Sequence, residues 1–203
     1  ASRVEGQDFI TTIPTNDFLE TPYGVSIESN IIAISDLHKG KVYFNNAGIY
    51  AEFGKIICIS VGYFQSAGMF QEFEIVSFYG DDEKKLLSDF SQFLQNQLKI
   101  NRNKTICGHN VREFDVPYIC RRMLMNQLKL PNYFESLQAK KPWEIGLLDS
   151  MDWWKFGDYK NYISLKLLAF CLGIPSPKDD ISGKDVGKVY WQEHGLERIK
   201  TYC

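Results

Sequence analysis

From Gly48 onward, the chain alternates between two hydrophobic periods. Lys55 to Phe64 is a β-branched, apolar run that predicts a buried strand. Gln65 to Gly68 reads as a turn, and Gln71 to Tyr79 alternates as the returning strand. Asp81 and Asp82 suit a helix N-cap. Beyond them Leu86, Leu87, Phe90, Phe93, Leu94 and Leu98 fall on one helical face. Lys104 to Cys107 predicts a short strand ending at Gly108-His109-Asn110. A helix then opens at Asp115, with Pro117 in its first turn, where the missing N–H costs little. Ile119, Met123 and Leu124 supply its apolar positions. Glu144 to Leu148 predicts another strand, ending at Asp149. Ser164 caps a helix that runs to Leu172 and stops at Gly173 and Pro175. Asp179 to Gly187 reads as a polar loop, and Leu196 to Cys203 as a last helix. The first forty residues are less patterned, with apolar runs at Asp17 to Leu19 and Ile31 to Ile34 that could be strands. Strands come first and then alternate with helices, which is an α/β pattern with a mixed sheet.

Composition adds limits. With 203 residues, 44% of them hydrophobic, the chain suits one globular domain, residues 1–203. The net charge of −2 neither announces nor excludes a nucleic-acid partner. Five scattered cysteines without a C-x-x-C pair argue against a zinc site or disulfide framework. Reduced thiols and the lack of a signal peptide point to the cytoplasm. No apolar run is long enough to span a membrane.

Gly108-His109-Asn110-Val111-Arg112-Glu113-Phe114-Asp115 is where the chemistry concentrates. Taken singly, each residue has a plain role: Asp115 an N-cap, Asn110 a left-handed loop residue, His109 a hydrogen-bonded structural histidine. Together they resemble the second motif of the DEDD exonucleases, in which an Asn precedes Phe-Asp or Tyr-Asp at a short fixed spacing. The stretches Gly108 to Leu124, Ala47 to Phe64 and Leu147 to Trp191 are similar to the predicted PolB-like 3′–5′ exonuclease family, of the tyrosine (DEDDy) subclass. The resemblance covers about the last three quarters of the chain.

That resemblance implies an RNase H-like α/β fold, a mixed central sheet flanked by helices. It implies two divalent metal ions, Mg²⁺ or Mn²⁺, about 3.5–4 Å apart, activating a hydroxide and stabilising the departing 3′ oxygen. The substrate would be the 3′ end of a single strand, DNA or RNA, with DNA favoured. Asp115 matches the second-motif metal ligand, with His109, Asn110 and Phe114 on the substrate side. For the first motif the best match is Asn16 to Thr21, where Glu20-Thr21 fits the Glu-Thr ending. Phe18 then stands where the first Asp belongs, and Asp17 is one residue displaced, onto the opposite strand face unless a bulge intervenes. Tyr202 matches the water-orienting tyrosine of the third motif, whose Asp is expected about three residues past Cys203. A polymerase or replication partner has no support in the sequence.

Other readings compete. Asp149 reads as a strand-end residue near the site, outside the metal set. Trp153, Trp154 and Tyr159 suit base stacking or core, and Lys178, Lys184 and Lys188 phosphate contacts or solvated surface. The departures at the first and third motifs motivate a degenerate module that binds nucleic acid or a protein. Ile31 to His38 echoes the Asp-x-His opening of calcineurin-like metallophosphoesterases, but Gly157-Asp158 and Gly108-His109-Asn110 do not supply the rest of that pattern.

Overall fold

The computed structural model describes residues 27–33, 47–67, 70–100, 105–138, 140–141, 144, 146–158, 160, 162–175 and 181–203. Asp17, Glu20 and the Asp36–His38 pair lie outside them. The first three strands, β1 (Ile27–Ala33), β2 (Gly54–Ala67) and β3 (Phe70–Tyr79), form an antiparallel sheet in the order β1-β2-β3. The strand predicted to end at Phe64 continues through Ala67, which shortens the expected turn. A second, two-stranded parallel sheet joins β4 (Cys107–Gly108) to β5 (Leu148–Asp149), with Gly108 opposite Asp149. β4 lies beside β1.

β2 is the wall between two cores. Ile56, Ile59 and Val61 pack on one side, while Ile57 and Cys58 belong to the other. Strict alternation would put residues 57 and 58 on opposite faces. The β1–β2 register slips between Asn30 and Ile31, so that Asn30 faces Cys58 and Ile31 faces Ile56. The slip leaves one extra residue in β2, a bulge that turns consecutive side chains to the same face.

The first core is closed by two helices, α1 (Glu83–Ile100) and α2 (Asp115–Met125). Asp82 caps α1, its Oδ1 accepting from Lys85 N at 3.0 Å. The predicted apolar stripe faces inward: Leu86, Leu87, Phe90 and Leu94 are buried, with Phe93 and Leu98 packed beside them. From α2, Ile119 and Met123 are fully buried, whereas Leu124 is exposed. Each such buried side chain contributes roughly 1.5–3 kcal/mol. Tyr118 donates to the carbonyls of Gly48 (2.8 Å) and Tyr50 (3.2 Å), tying α2 to the turn before β2. Burial pushes the Tyr118 phenol above its usual range.

Five short helices follow: α3 (Asn132–Gln138), α4 (Ser150–Lys155), α5 (Leu165–Cys171), α6 (Val186–Trp191) and α7 (Leu196–Tyr202). Val186 and Val189 of α6 and Ile199 and Tyr202 of α7 fill the second core with Ile57, Cys58 and Ile181. As expected, Ser164 caps α5, accepting from Leu167 N at 3.2 Å. Gly173 takes φ +69°, while Ile174 N donates to Ala169 O at 2.9 Å, so the helix ends on a left-handed glycine. Two expectations need correcting, and two helices go unpredicted. Helices α3 and α4 are too short to show a hydrophobic period. The strand foreseen from Glu144 shrinks to Leu148–Asp149. The loop foreseen to Gly187 gives way to α6 from Val186, because Val186 and Val189 are both needed in the second core. Among the described residues, no helix is long and apolar enough to cross a membrane.

Candidate active site

The segment Gly108 to Asp115 leaves β4, turns and enters α2. Gly108 starts the turn because nothing larger fits: a Cβ there would lie 2.7 Å from Val111 Cβ. Asn110 takes φ +59°, the left-handed conformation that Asn tolerates better than most residues. Its loop reading therefore holds. The N-cap reading of Asp115 does not. Phe114 holds the cap position without a side-chain cap bond, and Asp115 is the first helical residue, 6% exposed.

Loop carbonyls do the capping. Phe114 N donates to Asn110 O and Val116 N to Val111 O, each at 3.0 Å. Two of the amides that a helix start leaves unsatisfied are thus met by the loop itself. Asp115 sits between them.

His109 is a strut. Its Nδ1 lies 3.0 Å from Ser150 Oγ and its Nε2 2.8 Å from Ile163 O. A carbonyl only accepts, so Nε2 carries a proton and donates to it. Burial holds the imidazole below its ordinary pKa, against the opposing pull of the Ile163 carbonyl and the Asp149 charge. In the neutral ring Nδ1 is an acceptor and shares the one Ser150 hydroxyl proton with Gly108 O, 3.3 Å from Ser150 Oγ.

Arg112 and Lys155 gather charge on the same side. Arg112 Nη2 donates to Leu147 O at 2.9 Å, and its Nε lies 3.3 Å from Asp152. Lys155, a buried ammonium, lies 3.6 Å from Asp152, 3.8 Å from Glu113 and 4.6 Å from the centre of the Tyr162 ring. These contacts turn Met151, Asp152 and Lys155 of α4 inward. Trp153 and Trp154 are left exposed, as is Phe156 just after the helix.

Of the remaining site candidates, one lies among the described residues and two do not. Tyr202 is buried in the second core, beside Ile199 and Val189. Glu20 and Asp17 fall outside the described residues. Among the described residues, no group of three His, Cys, Asp or Glu side chains is placed to hold a metal ion. The other buried acids near α2 are already engaged: Asp149 accepts three backbone amides, and Glu83 pairs with Arg122. The described residues alone therefore do not complete a dication site. Sequence reasoning passed over Arg112, Ser150, Asp152 and Lys155. The one available signal was Asp149-Ser150, an N-cap pair ahead of Met151.

The fold and this segment define a mixed α/β protein in which an acidic residue starts a buried helix behind a pinned Gly-His-Asn turn. The chain belongs to the family described as a predicted 3′–5′ exonuclease related to the exonuclease domain of PolB, which matches residues 49–203. A comparison with curated proteins returns no match.

Proposed function

We propose that the chain is a metal-dependent 3′–5′ exonuclease domain that removes nucleotides from the 3′ end of single-stranded nucleic acid, DNA above RNA, in the cytoplasm. The observation that carries the proposal is Asp115, buried at the first position of α2 inside the family-matched segment. β4 lying beside β1 is in keeping with an RNase H-like architecture, since it sets the two-stranded sheet next to the three-stranded one.

In this reading Asp115, with Glu20 and Asp17, would hold two Mg²⁺ or Mn²⁺ ions, and Tyr202 would orient the attacking water. The ions supply nucleophile activation and charge neutralisation. The protein's own part is to hold the strand end. Asn110 and Phe114 would contact the substrate, His109 braces the loop through Ser150 and Ile163, and exposed Trp153 and Trp154 would offer ring faces to bases. The DEDDy assignment rests on Tyr202 alone.

A labelled 3′ end on single-stranded DNA, incubated with Mn²⁺, tests the proposal. Asp115→Ala should abolish shortening while leaving thermal unfolding cooperative. A full chain that leaves the label intact would sink the enzymatic reading. A degenerate binding module is the second reading, favoured by Phe18 at the position of the first acid. It predicts retention of a single strand without shortening, in the same assay read by mobility shift.

A further inference from the structure

Asp149 does more than cap α4. Its Oδ1 accepts from Met151 N at 3.0 Å, which is the cap bond. The same oxygen accepts from Asn110 N at 2.8 Å, and Oδ2 accepts from Arg112 N at 3.0 Å. Those two amides belong to a loop almost forty positions earlier in the chain. The side chain is 2% exposed. A buried carboxylate is tolerated only when its lone pairs are satisfied, and here both oxygens are taken by backbone donors.

The rest of the loop converges on the same junction. Gly108 pairs with Asp149 in the parallel ladder, His109 reaches Ser150, and Arg112 reaches Leu147 and Asp152. What the junction holds is the start of α2. The carbonyls of Asn110 and Val111 cap Phe114 N and Val116 N, on either side of Asp115. The chain of contacts therefore runs from the Asp149 carboxylate, through the loop backbone, to the peptide units flanking Asp115.

We propose that Asp149 is a positioning residue: its carboxylate fixes the loop Asn110–Arg112 and through it the placement of Asp115, without touching substrate. The activity half of this inference rests on the exonuclease reading, and the structural half does not. A misplacement of about 1 Å can cost roughly 10²-fold in rate.

Asp149→Asn is the informative variant. Asn still caps α4, but one oxygen becomes an NH₂ group facing a backbone N–H. Asp149→Ser, which keeps a cap acceptor and removes Oδ2, stands in if the first variant does not fold. Two measurements are made on each. Hydrogen exchange of the Asn110 and Arg112 amides should quicken by about tenfold or more, while Ile59 and Val61 in β2 stay protected. The kcat on a labelled single strand with Mn²⁺, referred to the folded fraction, should fall about 10²-fold, with KM within about threefold. Unchanged exchange at both amides overturns the proposal. So does an unchanged kcat in a variant of an active parent. An inactive parent defeats the exonuclease reading instead, and the exchange measurement then decides the clamp by itself.

Discussion

Replacing Arg122 with Met tests how α2 is held at its other end. Arg122 is 5% exposed and Glu83 6%. The guanidinium meets the carboxylate twice, Nε to Oε1 at 2.9 Å and Nη2 to Oε2 at 2.5 Å. Its Nη1 donates to Ala51 O at 2.9 Å. Glu83 Oε1 also accepts from Ile56 N at 2.7 Å, and Oε2 from Asn126 Nδ2 at 3.0 Å. The cluster joins the start of α1, the start of β2 and the end of α2. Arg122→Met keeps most of the volume but leaves Glu83 charged and buried with two donors in place of four. Breaking a buried pair from one side costs about 3–5 kcal/mol. For a chain of this length, each kcal/mol lowers Tm by roughly 2–4 °C, so a drop of about 6–20 °C is expected. Replacing both partners, Glu83→Gln with Arg122→Met, removes the orphaned charge and should recover at least half of the loss. The assay is denaturant and thermal unfolding of the two single variants and the double variant, completed as a cycle. A loss under about 1 kcal/mol for Arg122→Met, or a double variant as unstable as the sum of the singles, would refute the reasoning.

Two further outcomes follow from the loop. Gly108→Ala drives a methyl against Val111 Cβ and should cost about 1–3 kcal/mol in chemical unfolding. Val111→Ala in the same chain should not rescue it, because the nearest atom is the Cβ that Ala retains; full rescue would contradict the geometry. His109 is held below its ordinary pKa by burial, so the native state binds fewer protons there than the unfolded chain. Its effect on stability is absent above about pH 6.5, and stability falls below that at no more than about 1.4 kcal/mol per pH unit until the native pKa is passed. Comparing parent and His109→Gln from pH 7.5 to 5 by urea unfolding checks the sign: the parent should lose the more stability on acidification.

The readable parts of the chain were those whose burial is one-sided or complete. The α1 stripe from Leu86 to Leu98 and the apolar run of β2 each repeat a period long enough to register. The helices α3 and α4 are two turns or fewer, and tertiary contacts hold them: Phe134 buried in the first core, Lys155 beside Glu113. The bulge at Ile57–Cys58 was illegible because both residues are apolar, and a buried run looks the same with or without a register slip. At the site, Asp115 and Asn110 were visible through spacing and resemblance. Asp149 was seen as a strand end, but the two amides it serves lie in residues 110 and 112, and no local pattern announces a contact of that range.

The acids of this chain thus divide by what satisfies them. Glu83 is met by a guanidinium, an amide side chain and a backbone N–H, and Asp149 by three backbone amides. Glu83 has all four lone-pair sites taken and Asp149 three of four, although both are buried near α2 and would be attractive ligands on sequence grounds alone. Counting buried carboxylates therefore overstates the metal-binding set. The two spent acids instead act on Asp115 from the ends of its helix. Asp149 shapes the loop that caps the N-terminus, and Glu83 pins the last turns through Arg122 and Asn126. A helix held at both ends by buried polar contacts has few alternative placements, since any shift leaves charged groups unsatisfied in a low-dielectric setting. That gives a physical reason for the chain to bury Glu83 and Asp149 as well as Asp115.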